Sequence, residues 1–178
     1  MTDRLSRQDW LKNGLQALVA DGPRALKADV LAKRMGVSRG SFYWHFENLA
    51  DFHAALLAHW QATSTQAVIE DLTADVKQTE RLTVLIQRAL SAEPALERAM
   101  RLWAAEAPDV ARALAQVDET RIAYLVSLLA AGQMPRAKAT DRARLIYWAY
   151  LGRMDVASPE HRHVSEDGIA QLVLALQD

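Results

Sequence analysis

Leu26-Lys27-Ala28-Asp29-Val30-Leu31-Ala32-Lys33-Arg34-Met35-Gly36-Val37-Ser38-Arg39-Gly40-Ser41-Phe42-Tyr43-Trp44-His45-Phe46 decides the fold of this chain. It reads as two short helices joined by a tight turn. Leu31, Ala32 and Met35 recur at helical spacing and give the first helix one apolar face. Gly36 falls where that helix must stop, at a position that favours left-handed backbone geometry. Val37 is an apolar plug, and Ser38 is placed to cap a second helix. Phe42 and Phe46 stand four apart, share a face and anchor the second helix inward. Arg39, Ser41, Tyr43, Trp44 and His45 are then left on the other faces. An arginine, hydroxyls and aromatics with polar tips, shown to solvent by a short helix, suit insertion into a DNA groove. The pattern is a helix-turn-helix.

Working outward, Ser6 to Asp21 supplies a preceding helix whose apolar stripe is Trp10, Leu11, Leu15, Leu18 and Val19, and Asp21-Gly22-Pro23 ends it. Gly36-Val37-Ser38-Arg39-Gly40-Ser41-Phe42-Tyr43-Trp44-His45-Phe46, followed by Asn48 and the apolar run from Phe52, resembles the TetR family of bacterial repressors over roughly residues 5 to 60. The resemblance implies a role for each matching position. Tyr43 corresponds to a tyrosine that meets backbone phosphate, with Trp44 and His45 beside it. Arg39, Gly40 and Ser41 correspond to the base-facing start of the recognition helix. Three positions depart from the family pattern. Lys27 stands where a threonine caps the next helix and touches phosphate; a lysine reaches phosphate but cannot accept as an N-cap. Asp29 stands where some members carry a basic residue, and Leu49 replaces a lysine that clamps the backbone. These changes imply a weaker or differently registered contact set on the same fold.

At 178 residues the chain supports one good core, or two small units. Apolar residues at 51% and charged residues at 24% are ordinary for a soluble globular protein, so neither a membrane nor a disordered class is indicated. Cysteine is absent, which excludes disulfides and thiolate metal sites and suits a reducing cytoplasm. Met1-Thr2-Asp3-Arg4 has no apolar run behind it, so no secretory signal is expected. The longest uncharged, strongly apolar stretch, Ile122 to Ala131, is too short to span a bilayer. A net charge of −1 by itself points to no polyanion, but its distribution does. Residues 1–60 hold eight Lys or Arg against six Asp or Glu, a balance of +2, and between Arg24 and His45 five basic residues face only Asp29.

Period-two alternation never appears, so the fold class is all-α: an N-terminal three-helix DNA-binding domain over residues 1–47 and a C-terminal helical ligand-binding and dimerisation domain over 48–178. Asn48 caps a connecting helix, residues 48–72, buried through Phe52, Leu56, Leu57, Trp60, Val68 and Ile69. Further helices are expected over Glu80 to Ala92, from Pro94 to Glu106, and from Pro108 to Ala131. Gly132 and Pro135 punctuate the next boundary, and Thr140 is placed to cap a helix that is apolar around most of its circumference. Glu166 to Leu176 is the last helix. Nine helices in this order match the TetR architecture. There the last two helices pair with their copies in a four-helix dimer bundle, which places Leu145, Ala149, Gly152, Ile169, Leu172 and Val173 at the interface.

The same resemblance puts a small apolar or amphipathic effector in the C-terminal part, where Met100, Trp103, Tyr124, Leu128 and Trp148 are the candidate lining residues. Arg101, Arg121 and Glu106 are available to orient a polar group on it. His161-Arg162-His163 beside Glu160 and Glu166 matches no strong metal-ligand spacing, and His53 and His59, six apart, share no helix face. No catalytic constellation stands out; no metal or cofactor is expected. The expected function is a ligand-responsive, cytoplasmic, homodimeric repressor that a small hydrophobic molecule releases from a palindromic DNA operator. A helical protein-interaction module using the helix-turn-helix as a scaffold is the alternative.

Overall fold

In the computed structural model, which describes residues 5–132 and 134–177, every regular element among the described residues is helical. Met1–Arg4, the start of the stretch where no secretory signal is expected, lie outside the described residues. Helix α1 (Arg7–Asp21) opens with a capping box in which the Ser6 hydroxyl oxygen accepts from the Asp9 N–H and the Asp9 carboxylate accepts from the Ser6 N–H. Helices α2 (Ala28–Arg34) and α3 (Arg39–Tyr43) form the helix-turn-helix. Helix α4 (Leu49–Gln61), capped by the Asn48 side chain, runs through a wide turn at Ala62–Gln66 into α5 (Ala67–Asp75). That turn spaces buried Trp60 and buried Thr65 five positions apart, where a regular helix repeats its face at three or four. Then come α6 (Arg81–Ser91), α7 (Ala95–Glu106), α8 (Pro108–Ala130), α9 (Arg136–Gly152) and α10 (Glu166–Gln177). With α4 and α5 taken as one continuous helix, the described residues hold the nine expected from sequence. No helix among them is long and apolar enough to cross a membrane.

The chain divides into two compact units: one runs to Ser64 and adds Ala95–Ala115, the other comprises Thr65–Pro94 and the chain from Gln116. In the first unit α1 packs on α4 and α7. Its inward face is Trp10, Leu11, Gly14, Ala17 and Leu18, whereas Val19 is 42% exposed, so the stripe read from sequence was rotated. Small residues decide this face. A Cβ at Gly14 would come within 2.8 Å of the Phe52 ring and 3.1 Å of Leu56, so glycine lets α1 lie directly on α4.

The second unit has its own core of Leu82, Ile86, Leu125, Val126, Leu129, Ala143, Tyr147, Ile169 and Val173, among others. Helix α9 begins at Arg136, a turn earlier than expected. Thr140 is therefore not its cap; its hydroxyl donates back to the Arg136 carbonyl within the helix. The inward face of α9 is Ala139, Ala143 and Tyr147, two alanines and one tyrosine at four-residue spacing. Arg153, just past its end, donates to the carbonyls of Ala89, Leu90 and Ala92 at 2.8, 2.8 and 2.6 Å. One guanidinium thus gives partners to three carbonyl groups at the C-terminus of α6.

Candidate functional site

Helix α2 ends as its sequence requires. Gly36 has φ +68, and the Val37 N–H reaches back to the Ala32 carbonyl at 3.0 Å, the closure of a left-handed C-cap. The chain then reverses into α3, a single short turn that Ser38 precedes without a side-chain cap bond; its carbonyl accepts the Ser41 N–H at 3.0 Å instead. Helical geometry stops at Tyr43, three residues short of Phe46. Beneath α3 lies an aromatic hub. Phe42 is fully buried, with ring centroids of Trp10, Phe46 and Phe52 at 5.4, 5.1 and 5.3 Å, mostly edge-on. The hub sets which side of α3 faces out.

On that outer side Arg39, Gly40, Tyr43 and Trp44 are exposed, while Ser41 and His45 are half-buried. Trp44 is 76% exposed. The Arg39 guanidinium donates to the Tyr43 hydroxyl at 3.0 Å and lies 5.5 Å from its ring centroid. These contacts hold the Arg39 pKa above its ordinary value, first through the Tyr43 hydrogen bond and Tyr43 electrostatics, with Asp29 adding to them. Lys27 occupies the N-cap position of α2, exposed and without a capping bond from its side chain. Leu49 opens α4 and is 37% exposed.

Two further residues hold this platform, Arg7 without any sequence expectation and His53 without an expected partner. Arg7 reaches from α1 to the His45 carbonyl at 3.4 Å, to Asp51 of α4 at 3.6 Å, and over the Phe46 ring at 4.9 Å. His53, half-buried on α4, bonds through Nε2 to the Leu26 carbonyl at 3.2 Å, just ahead of α2, and packs edge-on against Trp103 of α7 at 5.1 Å. Its only sequence signal was a histidine next to Phe52 on a buried face.

Burial pulls the His53 pKa below the ordinary 6.5, only partly opposed by its bond to Leu26. The imidazole is therefore neutral in the folded protein at neutral pH. Between its folded pKa and 6.5 the unfolded chain binds the extra proton, so stability is full above pH 6.5 and falls as pH drops below it. His53→Gln is expected to flatten that acid-side loss in urea unfolding followed from pH 8 to pH 5; an unchanged slope would refute the assignment.

The candidate effector residues divide between the units. Met100 and Trp103 are buried in the first, and Glu97 beside them on α7 is buried and paired with Arg101 at 2.9 Å. In the second unit Tyr124 and Leu128 are half-buried, and the Tyr124 hydroxyl is buried with no hydrogen-bond partner among the described residues. On α8 of that unit, Arg121 donates to the Thr65 hydroxyl at 3.0 Å, and Asp118 accepts from the Tyr147 hydroxyl at 2.6 Å. Burial, then the bond to Asp118, raise the Tyr147 pKa. Trp148 is 60% exposed and lines no interior surface of its unit.

Of the candidate interface residues, Leu145, Ala149 and Gly152 are exposed along one face of α9, and Leu172 is 48% exposed on α10. Ile169 and Val173, 3% exposed each, lie inside the second unit's core and not on its surface, because they fill the α10 side of that core. His161 and Glu160 sit 3.9 Å apart, both exposed, and no group of three metal-ligating side chains occurs among the described residues.

Residues 11–56 match the family model of bacterial regulatory proteins, tetR family. No curated protein matches the chain. Among solved structures it is similar to a transcriptional regulator described as a TetR/AcrR family member, with TM-score 0.77 and 22% identity over 96% of this chain and 97% of that one. It is similar also to the reduced form of E. coli NemR, with TM-score 0.74 and 21% identity over 93% and 95%. A third likeness is a Streptomyces coelicolor A3(2) regulator, with TM-score 0.69 and 16% identity over 96% and 98%. At these identities the likeness is one of fold, and it extends over nearly the whole chain.

Proposed function

We propose that this TetR-family helix-turn-helix protein is a homodimeric repressor that binds a palindromic DNA operator and leaves it when a small effector binds. One observation carries the DNA reading. Arg39, Tyr43 and Trp44 are presented to solvent on a short helix whose opposite side is locked by the Phe42 hub, with Lys27 exposed at the start of α2. Arg39, Gly40 and Ser41 lie towards base edges, and Lys27, Tyr43, Trp44 and His45 towards phosphate and sugar. Leu145, Trp148, Ala149 and Gly152 on α9, with Leu172 on α10, form the surface that meets a second copy. A two-fold pair uses that patch twice and sets two recognition helices on matching half-sites.

The effector site is anchored at Tyr124, whose buried hydroxyl awaits a partner, with Leu128 one turn along α8. A small, mainly hydrophobic molecule carrying one hydrogen-bonding group suits it. Release from DNA requires that the molecule bind the operator-incompetent conformation more tightly than the competent one; equal affinity would shift nothing.

The test is a gel-shift titration on a palindromic fragment from the neighbouring promoter. Arg39→Ala is expected to relax base preference by about 5- to 100-fold at one position. Lys27→Ala is expected to weaken all sequences evenly and to flatten the salt dependence by about one counterion. An Arg39→Ala protein that ranks operator variants as the parent does would overturn the base-reading role.

A further inference from the structure

The family resemblance assigns Tyr43 to backbone phosphate, a contact blind to sequence. The geometry of the free protein gives it a second task. Arg39 and Tyr43 are four residues apart on α3 and therefore share a helix face. Nη2 of Arg39 donates to the Tyr43 hydroxyl at 3.0 Å, and the guanidinium lies 5.5 Å from the ring centroid. Arg39 is otherwise exposed, with a long side chain whose rotamer entropy is large. Left to itself it would sample many directions, and a base contact would have to freeze it. We propose that Tyr43 is a specificity-determining positioning residue: its hydroxyl and ring hold the Arg39 guanidinium in the direction from which it reads a base pair. This inference rests on Arg39 being the base reader.

The donor and acceptor inventory permits both tasks at once. A guanidinium has five N–H donors, and the phenol oxygen takes one, leaving enough for a two-bond contact to the O6 and N7 acceptors of a guanine. The phenol keeps its own hydrogen, which remains available to a phosphate oxygen. Tyr43 thus ties a backbone contact to a base contact and fixes their relative register. Asp29, exposed in the first turn of α2, adds an attraction for the same guanidinium. That gives a use to an acid otherwise out of place near phosphate.

The experiment is selection from a duplex library randomised across one half-site, using the full-length protein and its Arg39→Ala, Tyr43→Phe and doubly substituted forms. Tyr43→Phe keeps the ring and removes the hydroxyl; because Tyr43 is largely exposed, it leaves the fold intact, which a thermal melt checks. The expected result is that Tyr43→Phe loses about 3- to 10-fold of discrimination at the same base pair that Arg39→Ala relaxes. Other positions keep their preference, and the double substitution discriminates no worse than Arg39→Ala alone. If Arg39→Ala relaxes one position but Tyr43→Phe weakens all sequences by a common factor, the positioning role is wrong while the base-reading role stands. If Arg39→Ala leaves the profile unchanged, the base-reading role and the positioning role both fall.

Discussion

Trp148→Glu and Leu145→Glu are expected to sediment as folded monomers and to lose operator affinity by about 10²–10⁴-fold, the gain that a second linked half-site supplies. Within its own unit α9 is already served by Ala139, Ala143 and Tyr147, exposed by 0, 0 and 4%. Leu145 and Trp148, 58 and 60% exposed, add nothing to that core, so a charge there costs the monomer little. In a two-fold pair each glutamate meets its own copy or an apolar surface, and burying an unpaired carboxylate is costly. Ile169→Glu is the contrasting control. At 3% exposure it places a charge inside the second unit, and loss of folding is expected rather than clean monomers. Sedimentation with circular dichroism separates the two behaviours. A Trp148→Glu protein that remains fully dimeric would remove α9 from the interface.

Phe42→Ala should cost about 3–5 kcal/mol and abolish DNA binding, the usual range for truncating a buried aromatic. The ring is fully buried and meets Trp10 of α1, Phe46, and Phe52 of α4, so removing it opens a cavity where three helices converge. Trp44, two residues on, gives the opposite expectation. At 76% exposure, Trp44→Ala should alter stability by no more than about 0.5 kcal/mol while still weakening DNA binding. Urea unfolding of both proteins checks this. A Phe42→Ala midpoint close to that of the parent would mean that the hub does not hold α3.

The two variants mark what could be read along the chain and what could not. The helix-turn-helix was legible because its determinants are local. A glycine at a left-handed helix end, two phenylalanines four apart and an asparagine cap each act within one or two helical turns, so any window containing them contains the cause. Arg39 and Tyr43 were equally visible, since four-residue spacing makes them neighbours on any helix. Their spacing alone does not show the bond, because an exposed arginine has many other rotamers open to it.

Other features depend on which helix meets which. His53 was legible as a histidine, but its partner is the carbonyl of Leu26, and its ring contact is with Trp103 far along the chain. Arg153 closes the end of α6 across more than sixty residues, with no local signal at all. At α9 the inward face goes to Ala139, Ala143 and Tyr147, while Leu145 and Trp148 are turned outward, because small side chains let helices approach closely. Gly14 does the same for α1 on α4. The sequence by itself determined that the chain is helical, where most helices begin and end, and which short helix carries polar and aromatic side chains to solvent. Only the tertiary structure decided which face of each helix is buried. Burial depends on the shape and size of side chains brought together from distant positions, and a periodic pattern of apolar residues does not encode that.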